Sequence, residues 1–294
     1  MSQFAKRRID VTINLGEGQF GEDKGQDILL TGLRVSAVID YPGGGVQASA
    51  QIRIFGLPLE MINKLTRIGV LGAAVRLNSI IIAAGSEDGP MSTVYWGTIY
   101  TAFADFNGSP NVALNVIAFG SYFDAIRPVE ASSFIGTVNV VDVMRGLAKL
   151  MQPQPQGLTL EPNGVSVMLS NPYYHGTAYQ QIKECAKEAG IEFSIDRGVL
   201  SLWNRNEHRK AADGPIKVSK ETGMIGYPTY NSQGIILTTL FNPDMAIGKQ
   251  AEVSSESTPA NGVWTIFSCV HDLESETPGG RWFTQSDCVR GDTQ

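Results

Sequence analysis

Cysteine, histidine and long apolar runs are all scarce in this chain. Three cysteines and three histidines occur in 294 residues, too few for a disulfide framework and in keeping with synthesis in a reducing intracellular compartment. No apolar run reaches about 18 residues, so neither a helical membrane span nor membrane binding by this chain is expected. Met1 to Arg8 carries charge but no apolar segment follows, so a secretory signal is not expected either. Basic charge also runs short: 23 Lys and Arg against 29 Asp and Glu give a formal charge of −6. Nucleic-acid affinity draws on Lys and Arg, so phosphate binding is not the main business. An acidic wall would still let DNA pass, by repelling it. Serine-hydrolase, P-loop and HExxH motifs are missing.

What is present is turn-rich and apolar. The chain is 43% hydrophobic and 18% charged, with 32 glycines. That permits a sizeable core, excludes disorder, and at this length suggests two or three units. Its organising stretch is Ile225-Gly226-Tyr227-Pro228-Thr229-Tyr230, followed by Gly234 to Leu240 and Phe241-Asn242-Pro243. Pro228 fixes its own φ and holds Tyr227 extended. Asn231 to Gly234 supplies turn chemistry, Ile235 to Leu240 has strand length, and Asn242-Pro243 stops it. Another strand is expected at Gln250 to Ser254. The result is a shape-making β-meander with no nucleophile, base or metal ligand.

In chain order, Ile9 to Leu15 alternates as a half-buried strand. Gly16-Glu17-Gly18-Gln19-Phe20-Gly21 fits the dinucleotide pattern, but no helix opens after it and Glu22 and Asp23 stand where phosphates would sit. It reads as a Gly-rich loop between strands. Ile28 to Tyr41 is expected as one long strand, turned by Pro42 to Gly45 into Val46 to Phe55. Pro58 opens a short helix with Leu59, Ile62, Leu65 and Ile68 on one face, closed by Gly69. Val75 to Ala84 resumes strand, and Val94 to Phe106 with Val112 to Phe119 form a hairpin. Six or seven strands by residue 120 imply a closed or nearly closed antiparallel barrel.

The texture then changes. Val140 to Met151 has helical spacing with Asn139 as N-cap, and Gln152 to Gly157 is a stiff linker. Thr177 to Ala189 is a second helix, with Ile182, Cys185, Ala186 and Ala189 on one face and Gly190 at its end. Ile191 to Ile195 and Val199 to Trp203 form a hairpin around Asp196-Arg197-Gly198. From Pro215 the β texture returns. The fold class is therefore mainly β with a small α+β insert and two tube-like antiparallel β-barrels. The domains are an N-terminal barrel at 1–130, an α+β unit at 131–210 and a C-terminal barrel at 211–294.

Chemistry has few places to reside. His175 precedes a helix and His208 lies in a charged loop. Cys269 and His271 share a strand face near Cys288, a trio that lacks a fourth zinc ligand, and a Cys269–Cys288 disulfide is unfavourable in a reducing cytosol. Glu22/Asp23 and Glu87/Asp88 sit in Gly-rich loops as solvated charge. Trp203, Trp264 and Trp282 read as core or interface anchors. No catalytic residue, metal or cofactor is expected.

The stretch from Ile225 to Pro243, the hairpin Gly262-Val263-Trp264 to Val270-His271-Asp272-Leu273, and Gly279-Gly280-Arg281-Trp282 resemble the C-terminal barrel of phage baseplate hub proteins. Val46 to Phe55, then Gly56-Leu57 and the helix ending at Ile68-Gly69, extend the resemblance over nearly the whole chain. That family is related in fold to late control protein D and the VgrG head. The resemblance implies a homotrimer in which two tube-like barrels per subunit make a pseudo-six-fold ring. Such a ring joins the hexameric tail tube to the trimeric central spike and passes DNA only in transit. It further implies baseplate wedge proteins as neighbours, a contractile tail, synthesis in the host cytoplasm and a place in the virion baseplate. Candidate interface residues are Tyr227, Pro228, Phe241, Asn242, Pro243 and Trp282. The alternatives are a tail-associated cell-wall hydrolase and a receptor- or carbohydrate-binding β module.

Overall fold

The computed structural model describes residues 6–16, 25–66, 78–152, 157–210 and 214–290. Its first strands are β1 (Arg7–Asn14), β2 (Asp27–Leu30), β3 (Val35–Tyr41), β4 (Ser49–Phe55), β5 (Ser79–Ser86), β6 (Met91–Asp105) and β7 (Ala113–Phe119). Short strands follow: β8 (Ser132–Ser133), β9 (Thr137–Asn139), β10 (Thr159–Glu161), β11 (Met168–Ser170) and β12 (Tyr173–Tyr174). The remainder are β13 (Ile191–Asp196), β14 (Val199–Asn204), β15 (Ile216–Val218), β16 (Thr229–Tyr230), β17 (Gly234–Leu240), β18 (Gln250–Val253), β19 (Gly262–Ser275) and β20 (Trp282–Val289). The described α-helices are Leu59–Leu65, Tyr122–Ile126, Val140–Leu150 and Ala178–Ala189. Two units emerge, one of Met1–Asp40, Ala48–Tyr122 and His271–Phe283, the other of Tyr41–Gln47, Phe123–Val270 and Thr284–Gln294.

In the first unit the period-two pattern of the sequence becomes a sheet with one apolar face. Ile9, Val11 and Ile13 of β1 are buried, as are Val35, Ala37 and Ile39 of β3 and Ala50, Ile52 and Ile54 of β4. Register keeps these rows aligned: Ala37 faces Ile52, which faces Val116 of β7. Ile62 and Leu65 of the Leu59–Leu65 helix are buried too, while Leu59 is exposed. The strand order is β3-β4-β7-β6-β5-β1-β2, and all of these neighbours are antiparallel.

The expected single strand from Ile28 to Tyr41 is in fact two. Gly32 adopts φ 67, the left-handed region open to glycine, and breaks the run. Its halves, β2 and β3, lie at opposite ends of that order. Laid flat, the six steps between them would span about 29 Å at ~4.8 Å per strand. The link from Leu30 to Val35 reaches at most about 18 Å, so the sheet has to curl. Bulges in β6, at Ile82/Ala83 against β5 and at Ile99/Thr101 against β7, supply local bend. Among the described residues the expected closed barrel is not found. The four-residue β2 pairs with β1, and the open edge of β3 is taken by β19, whose Ser275 hydroxyl donates to Leu33 O at 3.1 Å.

In the second unit, the sheet order β16-β17-β20-β19 carries β18 on β19 and β15 on β18. It is not a closed antiparallel barrel either, because β15 enters parallel to β18. The same unit holds the α+β part. Asn139 Oδ1 accepts from Val141 N at 2.9 Å, and Val140, Val143, Met144 and Leu147 face the core. Thr177 Oγ1 accepts from Gln180 N at 3.1 Å, and Gly190 ends that helix at φ 65, a left-handed C-cap. Both helices share one apolar cluster with Leu200 and Leu202 of β14. The Glu17–Glu22 and Asp23 segment, Ile68-Gly69, Val75 and the linker residues 153–156 lie outside the described residues.

Two buried polar groups yield tests. The Tyr95 phenol is buried without a hydrogen-bond partner, a state that costs about 1–3 kcal/mol. Tyr95→Phe should therefore leave the chain as stable or up to that much more stable in a urea melt. Asp124 is buried and accepts Gln152 N–H at 3.0 Å, while desolvation pushes its carboxyl up to about 6. The folded state then holds a proton that the unfolded state has released between about pH 4 and 6, so this group removes stability as pH rises through that window. Asp124→Asn keeps the acceptor and should flatten the slope, by at most about 3 kcal/mol. Denaturant midpoints at pH 4, 5, 6 and 7 check it.

Candidate assembly surface

The stretch around β16 and β17 is built by its turn. Asn231 Oδ1 accepts from Gln233 N at 2.9 Å and Gly234 N at 2.7 Å, the Asx geometry that reverses a chain. Gly234 is required there, since a Cβ would meet Cys288 O at 2.1 Å. Ile235, Leu237 and Thr239 point into the core. Along the edge of β17 that also pairs with β16, Ile225 N donates to Thr238 O and Leu240 N to Gly223 O, each at 2.8 Å. β16 ends the strand order, so among the described residues its outer edge is open. At two residues it is the short edge by which sheets limit unwanted pairing.

Above this edge lies a cleft of about 540 Å³ lined by Lys220, Met224, Gly226, Tyr227, Ser255 and Glu256. Tyr227 is 61% exposed, and its hydroxyl donates to Glu256 Oε2 at 2.8 Å. The Tyr230 hydroxyl lies 3.0 Å from Ser257 Oγ. Leu240 is exposed as well. The rim is thus aromatic and hydrogen-bonded, with mixed charge.

The expected interface residues do not form one patch. Tyr227 lines the cleft, and Pro228 is buried. Phe241, Asn242 and Pro243 are half-buried in the loop after β17. Asn242 N donates to Thr284 Oγ1 at 3.1 Å, and Arg197 Nη1 donates to Pro243 O at 3.3 Å. Arg209 N donates to Gly248 O at 2.7 Å, so this loop is clamped from within its own unit. Trp282 belongs to the first unit, buried with the Arg7 guanidinium 5.7 Å from its ring centroid. Sequence reasoning missed Lys220, Tyr230 and Glu256. Only the fold brings Glu256 to Tyr227, and no local pattern announces that pairing.

The discounted chemistry can now be placed. Cys185, Cys269 and Cys288 are buried thiols. Burial pushes the Cys185 thiol up to about 11 and the Cys288 thiol up to about 12, which keeps both in the unreactive form. His175 stacks on Tyr173, and His208 is exposed. Among the described residues no group of three His, Cys, Asp or Glu side chains gathers to hold a metal ion. Burial raises the Asp272 carboxyl, which pairs with Arg281 at 3.1 Å. Glu87 pairs with Lys6 at 3.4 Å. No helix described is long and apolar enough to cross a membrane.

The family model described as baseplate hub gp41 matches residues 8–285. No curated protein matches the chain significantly. Among solved structures, a tail protein from Neisseria meningitidis is similar over 96% of both chains, with TM-score 0.63 and 11% identity. An Escherichia coli type VI secretion component, described as structurally similar to the T4 tail proteins gp27 and gp5, aligns with 89% of this chain and 74% of its own. Its TM-score is 0.59 and its identity 10%. A 43 kDa prophage tail protein from Shewanella oneidensis covers 96% of this chain and 97% of its own, with TM-score 0.57 and 11% identity. At these identities the likeness is one of fold.

Proposed function

Since the chain belongs to the baseplate hub gp41 family, we propose that it is a non-enzymatic, trimeric adaptor joining a six-fold tail tube to a three-fold central spike. The observation that carries this reading is that each chain divides into two compact units, each holding part of the long main sheet. Three chains then offer six such units to a tube, and the mismatch of symmetry is absorbed inside each subunit. In this reading the β regions at 1–130 and 211–294 act as two tube-like barrels flanking the 131–210 part. A ring of this kind needs heterologous contacts that close under rotation. Tail tube, central spike and baseplate wedge proteins are its neighbours, the tail is contractile, and its place is the virion baseplate after synthesis in the host cytoplasm.

The second face of the curled sheet supports a channel. Facing away from the apolar core, Ser36 lies opposite Arg53, which lies opposite Asn115, and Val38 opposite Gln51. Asp40 belongs to β3, and Asp272 and Glu274 to β19 beside it, with Arg281 paired to both Asp272 and Glu274. A wall with few cations, of which Arg281 is paired to carboxylates, holds phosphate weakly, as a conduit requires. Three chains at −6 each give −18.

Averaged images of purified tails test the reading. Three copies at the junction of tube and spike, around an open bore, are expected. Six copies in that ring, or a bore lined mainly by Lys and Arg, would sink the adaptor and the conduit respectively.

A further inference from the structure

Two arginines on the polar side of the first unit stack on one phenyl ring. Phe55 N donates to Arg34 O at 3.0 Å, and in the same register Ser36 faces Arg53, which faces Asn115. Strand alternation therefore puts Arg34, Ser36, Arg53, Phe55 and Asn115 on one side of this part of the sheet. Arg34 and Arg53 are exposed, and Phe55 is half-buried. The Arg34 guanidinium carbon lies 4.4 Å from the Phe55 ring centroid, and that of Arg53 lies 5.5 Å from it. The two cations are thus at most about 10 Å apart, within one screening length at 0.1 M salt. Stacking on an aromatic face holds a guanidinium plane, so the pair is presented in a set geometry.

Among the described residues neither guanidinium reaches a carboxylate. Arg281 of the same unit is the contrast, meeting Asp272 at 3.1 Å and Glu274 at 3.0 Å. Glu274 also accepts Arg281 N at 2.9 Å through its second oxygen, so neither oxygen is left for Arg34 or Arg53. Two like charges held this close repel, and an oxyanion that bridges them removes the repulsion. Guanidinium forks suit a carboxylate or a phosphate, and the half-buried Asn115 next to Arg53 adds an amide donor. Charge selects between the two anions. A chain of formal charge −6 meets further copies of itself against net repulsion, which cations placed at the contact relieve. A phosphate backbone instead draws on many cations along a track. A wall that lets DNA pass also needs its cations covered, and these two have no cover from their own chain.

We propose that Arg34 and Arg53, stacked on Phe55, form a carboxylate-binding site for an Asp or Glu of a second copy of this chain. The proposal rests on the hub reading above and deepens it, by naming a contact through which neighbouring copies close the ring. The neighbour's acid neutralises in trans what Asp272 and Glu274 neutralise in cis at Arg281. Its test uses a phage lacking this gene, complemented with wild-type chain or with the double variant Arg34→Gln, Arg53→Gln. The variant should melt close to the wild-type temperature, since both side chains are exposed, yet the amount of hub in purified tails should fall about tenfold or more. A photo-crosslinking residue at Gln51, exposed and two residues before Arg53, reads the contact with both arginines in place. It should join two copies of this chain through a segment that contains Asp or Glu. Incorporation of the double variant at the wild-type level overturns the site and leaves the hub reading intact. So does a crosslink to DNA, to a different tail protein, or to no second chain at all. Absence of the wild-type chain from the tube–spike junction overturns both.

Discussion

The short link between β2 and β3 is the constraint on which the first unit depends. It brings together two strands that the hydrogen-bond order keeps six places apart, and only a curled sheet satisfies both. Curling turns the apolar rows of β1, β3, β4, β5 and β7 toward one another and leaves the polar rows on the other face. The edge of β3 then needs a partner, because an unpaired strand edge is a template for aggregation. The chain supplies one from its far end. Residues His271–Phe283 belong to a unit otherwise made of residues up to 122, tied by Arg7 to Gly280 O at 2.6 Å and by Lys6 to Glu276 at 2.9 Å. Pairing at such separation in sequence is slow to form, and it makes the first unit incomplete until the last strands exist.

These ties are not what holds the unit together energetically. Exposed ion pairs such as Lys6–Glu276 contribute about 0–1 kcal/mol each. Burial of side chains such as Ile39, Ile52, Ile54 and Ile80 contributes about 1.5–3 kcal/mol apiece, and these four are essentially inaccessible to water. The polar contacts select which strand meets which; the apolar rows make the meeting stable. The same division holds in the second unit, where Asn139 and Thr177 fix helix starts and the shared apolar cluster carries the packing.

Legibility followed the range of the interaction. The Asn139 cap, the Gly190 terminator, the Asp196-Arg197-Gly198 hairpin and the β17 turn could be read locally, because the residues that determine them are within a few positions of one another. The break at Gly32 was missed, since an isolated glycine in a β-branched run is compatible with a strand until its neighbours pair elsewhere. Closure was also misjudged. Alternation tells that a strand has a buried face but not which strand lies beside it, and β19 claimed the edge that closure would have used. Exposure follows the same rule: Tyr227 was recognisable as an extended aromatic next to Pro228, whereas the burial of Trp282 is decided by strands remote in sequence.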